Sequence, residues 1–130
     1  MAAGLFLGCG QTPSEQGDSG AKTVAREFLE ALVRKDWPQA YSLLNARSRT
    51  KHRPEEFRRL AETYRAGLGF EPTAVHVRAC EDQGERAIAH FVWAGRRNHR
   101  DALPLLREGG EWGVVLPAQF GRPRPTKKGS

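Results

Sequence analysis

The spacing of apolar residues changes once along this chain, near Pro72, from a helical period of about 3.6 residues to a strand period of 2. Before the change apolar side chains recur three or four positions apart. After it they alternate with polar ones, and β-branched and aromatic residues collect. Helices followed by consecutive strands favour an α+β domain with its helices on one face of an antiparallel sheet. Because the chain has 130 residues and no run of about 18 apolar residues, we expect one small domain with tails.

Three helices are predicted before Pro72. The first begins near residue 21 and carries an apolar stripe of Val24, Ala25, Phe28, Leu29, Leu32 and Val33. Asp36 and Gln39 have the spacing of a capping box at the start of a second helix. After a polar and basic connection over 45–53, Pro54 opens the third helix, which ends at Gly67 and Gly69.

Four strands are predicted after Pro72, over residues 73–80, 85–93, 101–107 and 111–116. Asp82–Gly84 predicts the first turn, and Gly109-Gly110 predicts a two-residue hairpin. The second strand is largely apolar on both faces, so we expect both to be covered. Pro104 predicts that its own strand is an edge or a bulge, since proline cannot donate to the ladder.

Three segments carry a resemblance to a known family: AREFLEAL at 25–32, DWPQAYSLL at 36–44 and LLREGGEWGVV at 105–115. They look like the opening helices and closing hairpin of the NTF2-like superfamily, most of all its small lipoprotein-type members of unknown function. The resemblance covers residues 21–117 and implies a cone, with three N-terminal helices packed on a curved four-stranded antiparallel sheet around a pocket. One departure is Gly113, where these hairpins commonly carry a charged or polar residue. The superfamily includes isomerases, cyclases, dehydratases and non-catalytic binders, so the resemblance implies a fold and no particular activity.

Residues 1–20 form a separate unit. An apolar run over 1–8 precedes Cys9, and a polar stretch over 10–20 follows. This order resembles the cleavage region of a bacterial lipoprotein, a partial signal peptide with a lipobox-like site, and implies that Cys9 is lipidated and anchors the domain outside the membrane. The polar stretch would then be a tether with a reach of about 18 Å. No basic residue precedes the run, so either the true start lies upstream of Met1 or the segment is not a signal and the protein is cytoplasmic.

Histidines and aromatic residues supply a candidate pocket. His76 and His90 lie on adjacent predicted strands and could face the same pocket, where a neutral imidazole could bind a metal or act as a base. The candidate pocket residues are His76, His90, Trp93, Trp112 and Tyr64. The alternative is that the histidines lie on a solvated sheet face and the aromatic rings form the core. We assign no catalytic residue, cofactor or metal, since neither His-Glu-x-x-His nor Cys-x-x-Cys occurs and Asp36 is explained by capping.

The chain is basic, with a formal net charge of +6. The densest basic surface is predicted from Arg47, Arg49, Lys51, Arg53, Arg58 and Arg59, together with His52. A second cluster contains Arg96, Arg97, His99 and Arg100, and residues 118–130 predict a disordered basic tail. Nucleic-acid binding would need these charges to converge on one face with exposed aromatics among them. An anionic membrane surface suits a tethered domain better.

The sequence therefore predicts a non-catalytic, lipid-anchored extracytoplasmic module of the cell envelope that binds a small molecule or an envelope protein. No nucleic-acid partner is expected, and a homodimer is left open. The alternatives are a small-molecule isomerase or cyclase, which needs an acid or histidine beside a hydrogen-bond donor in the pocket, and a basic nucleic-acid-binding domain.

Overall fold

The structure, a computed structural model, describes residues 20–121 as four helices followed by four strands. The helices are α1 (Ala21–Arg34), α2 (Trp37–Ser42), α3 (Ala46–Lys51) and α4 (Pro54–Ala66). The strands are β1 (Ala74–Asp82), β2 (Arg86–Ala94), β3 (Asn98–Glu108) and β4 (Glu111–Val114), followed by a 3-10 helix, Ala118–Gly121. The predicted α+β class is confirmed. None of the helices in residues 20–121 has the length and apolar character of a membrane span. Cys9 lies outside the described residues.

Helix α1 buries the stripe that the periodicity predicts. Ala25, Phe28, Leu29 and Leu32 are at most 2% exposed. Phe28 and Leu32 belong to the same buried cluster as Phe91, and Trp112 packs against that cluster. The helix contacts β1 most and also reaches β4, so its apolar face lies across the sheet.

The N-terminus of α2 is capped as predicted, since Asp36 Oδ1 accepts a hydrogen bond from the Gln39 amide at 3.2 Å. Helix α4 likewise begins at Pro54, with Glu55 and Glu56 in its first turn, and ends beside Gly67. Carboxylates in the first turn stabilise the positive end of the helix dipole.

Helix α3 is a correction, because residues 45–53 were expected to be a connection and the structure has four helices where three were predicted. The Asn45 side chain caps α3 by accepting a hydrogen bond from the Ser48 amide at 3.1 Å. The Tyr41 hydroxyl lies 2.9 and 2.7 Å from the carbonyl oxygens of Arg49 and His52. Ser48 is the only buried residue of α3, so the segment has no apolar stripe for the periodicity to detect.

The sheet is an antiparallel meander in the order β1-β2-β3-β4. Both predicted turns are confirmed. Gly109 and Gly110 have φ values of 60° and 83°, as a two-residue hairpin turn requires, and the Gly84 amide bonds Asp82 Oδ1 at 3.1 Å. A bulge interrupts β1 between Val77 and Ala79.

Pro104 does not place its strand at an edge, because β3 pairs with β2 on one side and β4 on the other. The Val115 amide donates to the Pro104 carbonyl at 2.9 Å, and the reciprocal bond would need the N–H that proline lacks. The β3–β4 ladder accordingly stops at the pair of Leu105 and Val114. Pro104 therefore lies on an interior strand, β3, and ends the ladder that β3 forms with β4.

The expectation that both faces of β2 are covered is also wrong. Ala87, Ala89, Phe91 and Trp93 are buried against the helices, which defines the inner face of the sheet. Ile88, His90 and Val92, on the outer face, are only half-buried. Within residues 20–121 this outer face has no second layer.

The outer edge of β4 is occupied by the chain between α2 and α3. Asn45 donates its amide to the Val114 carbonyl at 2.8 Å, and the Val114 amide donates to the Leu43 carbonyl at 2.9 Å. A Cβ atom at Gly113 would lie 2.7 Å from the Asn45 Cα, so this close approach requires glycine. The departure noted at Gly113 thus has a packing cause, and β1 forms the opposite edge of the described sheet.

The ordered domain continues past the predicted boundary at residue 117. Phe120 in the 3-10 helix is 2% exposed, stacks on Tyr64 with ring centroids 4.3 Å apart, and lies near Phe28. Sequence reasoning assigned this ring to the tail because prolines and basic residues surround it. The rest of that predicted tail, 122–130, lies outside the described residues.

Candidate functional site

The five residues predicted to share a pocket are divided between the two faces of the sheet. Trp93 and His90 are three positions apart on β2, and side chains of a strand alternate, so the odd separation puts them on opposite faces. His76 pairs with Val92 and lies on the outer face with His90. Tyr64 contacts Trp93 on the inner face. The predicted pocket is therefore not formed as one site.

Trp112 lies apart from the other four, at the far side of the sheet. Its ring is beneath the Arg107 guanidinium, 5.3 Å from ring centroid to Cζ, and a Cβ at Gly20 would lie 3.2 Å from it. The ring thus covers the start of α1, which is a packing role.

His90 lies beside Glu81 of β1. Its Nε2 lies 3.2 Å from Glu81 Oε2 but does not meet the geometry of a hydrogen bond. His76 is exposed.

The inner face carries a polar network that sequence reasoning missed. The Trp93 Nε1–H donates to the Tyr64 hydroxyl at 2.9 Å, which donates to Asp101 Oδ2 at 2.6 Å. Asp101 Oδ1 accepts from the Ala102 amide at 2.9 Å and from Gln119 Nε2 at 3.0 Å. The Asp101 carboxylate thus accepts three hydrogen bonds from the protein, one on Oδ2 and two on Oδ1.

The signal for Asp101 was present in the sequence. It stands two and four positions before Leu103 and Leu105, which face the core, so strand alternation directs the acid inward as well. No such signal identifies Gln119, because its contribution depends on how residues 118–121 return to the sheet.

A second buried polar group, Arg65, holds α1 to α4. Its Nε and Nη2 donate to the carbonyls of Leu32 and Val33, each at 3.0 Å, at the C-terminus of α1. A cation here stabilises the negative end of the helix dipole. Nη2 also bonds Glu71 at 2.8 Å. The pKa of Glu71 is lowered below its ordinary value by that hydrogen bond, by the charge of Arg65 and, to a smaller extent, by the charge of Lys35.

The predicted basic surface on α3 and α4 is mixed with acids. Arg49 turns back to the carbonyls of Ser42 and Leu44, and Arg58 forms an ion pair with Glu62 at 3.1 Å. The other four cations, Arg47, Lys51, Arg53 and Arg59, are exposed. Glu55 and Glu56 lie within the same surface, which dilutes its positive potential.

A different set of cations lies on α1 and on strands β1 and β3. We call it the basic strip: Lys22 and Arg26 of α1, Arg78 of β1 and Arg100 of β3. In residues 20–121 none of the four has a carboxylate within ion-pairing distance. Arg78 and Arg100, with His90 and Val92, line a depression of about 300 Å³ on the outer face.

On the other side of β1, a groove of about 630 Å³ separates the strand from α1. Five consecutive residues, 73–77, line it. Since their side chains alternate between the two faces of the sheet, what these residues share is the main-chain edge of the strand. Lys22, Arg26, Glu30 and Arg34 border the groove from α1 at four-residue intervals, so they form one stripe along the helix.

No protein-family model matches the chain, and no curated protein matches it. Solved structures do match. One is the solution structure of a SEC-C motif-containing protein from Rhodopseudomonas palustris, at 13% sequence identity and a TM-score of 0.54, covering 78% of this chain and 80% of that one. At this identity the likeness shows a shared fold alone.

Proposed function

We propose that this chain is an NTF2-like domain that serves as a non-catalytic binding module, held outside the cytoplasmic membrane through a lipid on Cys9. Support for the fold assignment comes from the order of helices and strands and from the placement of the helices on one face of the sheet. The three matching segments supply α1, α2 and the β3–β4 hairpin of that arrangement.

The observation that carries the binding role is the basic strip. Within residues 20–121 its four cations have no carboxylate partner, and the half-buried Val92 of β2 lies between Arg78 of β1 and Arg100 of β3. Guanidinium groups form strong, directional hydrogen bonds with carboxylates and phosphates. An anionic partner with some apolar surface fits such a site, and an acidic surface of an envelope protein has that chemistry.

The interior supports a structural role for its polar groups. Asp101 is held by Tyr64, Gln119 and its own strand, and Phe120 covers the tyrosine ring. A general base needs a lone pair directed at its substrate, whereas the Asp101 carboxylate accepts hydrogen bonds from these protein groups, which favours a structural role.

One observation favours the isomerase or cyclase alternative, namely that Asp101 lies beside a hydroxyl donor, Tyr64, on the inner face. For that activity the 3-10 helix would have to withdraw and free the carboxylate. The stability of Tyr64→Phe, developed in the Discussion, separates the two roles.

The anchor is tested by mass spectrometry of the chain isolated from its native membranes. We expect a lipidated peptide beginning at Cys9, and release of the Cys9→Ser variant from the membrane fraction. An unmodified Cys9 thiol still preceded by residues 1–8 would refute the anchor.

The binding role is tested on the Cys9→Ser chain with three anionic probes: a fluorescent acidic peptide, vesicles containing phosphatidylglycerol, and duplex DNA. We expect Arg78→Glu/Arg100→Glu to weaken peptide binding at least tenfold. The matched control, Arg53→Glu/Arg59→Glu, changes the net charge equally and should weaken it less than twofold. Equal losses in both variants would show that net charge alone is responsible and would contradict the basic strip. Preference for DNA would favour the nucleic-acid alternative.

A further inference from the structure

We infer that residues 73–77, at the edge of β1 with which no strand in residues 20–121 pairs, take up an extended acidic segment of the partner as an additional sheet strand, in the groove between β1 and α1. The inference rests on the proposed binding role and adds how the partner is held. Edge strands present unpaired N–H and C=O groups, and peptides that add to them gain affinity from main-chain hydrogen bonds.

The open part of the edge is short and defined. β1 lies at one end of the sheet order, and the opposite edge is occupied along β4 by the Leu43–Asn45 segment. The bulge between Val77 and Ala79 interrupts the strand, and bulges blunt an edge against pairing. Residues 73–77, before the bulge, are the ones that line the groove.

The groove has the dimensions of a short strand. The five residues 73–77, of which 74–77 belong to β1, extend about 13–17 Å at about 3.3 Å per residue. From Lys22 to Arg34 the helix extends about 18 Å at 1.5 Å per residue, so its stripe runs beside the whole open edge. A partner segment of four or five extended residues fills this length.

Charge selects an acidic occupant. One face of an added strand lies beside Lys22 and Arg26, and the other continues the outer face next to His76 and Arg78. Arg34 also borders the groove but lies 3.8 Å from the Asp36 carboxylate. Glu30 is the one acid among the helix residues of the groove. Since cations border both faces, acids at successive positions of the partner are neutralised. A second copy of this chain would bring its own Lys22, Arg26 and Arg78 to the same edge, and like charges oppose that pairing.

The test uses an alternating Glu-Val heptapeptide and two derivatives of it, N-methylated at the odd or at the even residues. In an added strand only alternate peptide amides bond to β1, so one methylated peptide should bind at least tenfold more weakly than the other. Binding should also slow hydrogen exchange at amides within 73–77 and leave those of β4 unchanged.

Lys22→Glu/Arg26→Glu should weaken binding of the heptapeptide at least tenfold, and the matched Lys51→Glu/Arg53→Glu control should weaken it less than twofold. Both variants are checked for an unchanged melting temperature.

Equal binding of the two methylated peptides would overturn strand addition and leave the basic strip standing as a charge-based site. Strand addition alone would also be overturned if anionic vesicles bind through Arg78 and Arg100 but the heptapeptide does not bind. A concentration-dependent dimer that excludes the heptapeptide would assign the edge to a second copy. If none of the anionic probes distinguishes Arg78→Glu/Arg100→Glu from its control, the proposed binding role fails as well.

Discussion

Replacing Tyr64 by phenylalanine removes one oxygen atom from the inner face and leaves two polar groups without their partner. The Trp93 Nε1–H loses its acceptor at 2.9 Å, and Asp101 Oδ2 loses its donor at 2.6 Å. A neutral hydrogen bond contributes about 1 kcal/mol and one to a charged group about 1.5–3 kcal/mol, so we expect the variant to lose roughly 3 kcal/mol. For a domain of this size that lowers the melting temperature by on the order of 10–20 °C.

The assay is urea unfolding followed by tryptophan fluorescence, with Tyr41→Phe as the matched control. The Tyr41 hydroxyl also bonds within the protein, to two main-chain carbonyls of α3 and its C-cap, but these lie nearer to solvent and can be hydrated. We expect the control to lose about 1 kcal/mol or less. If Tyr64→Phe is as stable as the parent or more so, the structural role is refuted. Removal of functional polar groups often stabilises an enzyme, and such a result would favour the isomerase or cyclase.

Three further predictions concern pH, packing and the domain boundary. The pKa of Glu71 is lowered in the folded state by Arg65, so ionised Glu71 stabilises the fold above its ordinary pKa of 4.5 and this contribution is lost as pH falls through the lowered value. Glu71→Gln should therefore flatten the acid side of the stability curve measured by urea unfolding. Gly113→Ala should cost about 1–3 kcal/mol, since its Cβ meets Asn45, and lower the melting temperature measured by circular dichroism. Phe120→Ala should cost about 3–5 kcal/mol in the same assay.

Each of these three changes has a control within the chain. Glu27→Gln alters an exposed acid without an ion pair and should leave the acid side unchanged. The control for Gly113→Ala is Gly67→Ala, since Gly67 has a φ of −69°, which suits any residue. The control for Phe120→Ala is Ala118→Ser, which changes an exposed position of the 3-10 helix. If the stability of Glu71→Gln falls at acid pH as much as that of the parent, the contact of Glu71 with Arg65 is contradicted. If Gly113→Ala or Phe120→Ala loses no more stability than its control, the contact of that residue is contradicted.

Local signals in the sequence predicted the elements whose stability is itself local. The stripe on α1, the Asp36 cap and the Gly109-Gly110 turn each depend on residues within a few positions of one another, and each is confirmed. Helix α3 was missed because it is held by Tyr41 and an asparagine cap rather than by an apolar face.

The candidate site depended on longer-range information. Strand alternation already separates His90 from Trp93, so their opposite faces could have been derived from the sequence. That β1 is the open edge, by contrast, follows from the return of Leu43–Asn45 to β4, which no local pattern encodes. The same holds for Phe120, whose partners Phe28 and Tyr64 lie far earlier in the chain.

The position of Phe120 also determines when the fold can be completed. A ring from the end of the domain closes over side chains of the first and fourth helices, and contacts of such large sequence separation form slowly. During synthesis the interior therefore stays unfinished until Phe120 itself has emerged from the ribosome, about 90 residues after Phe28.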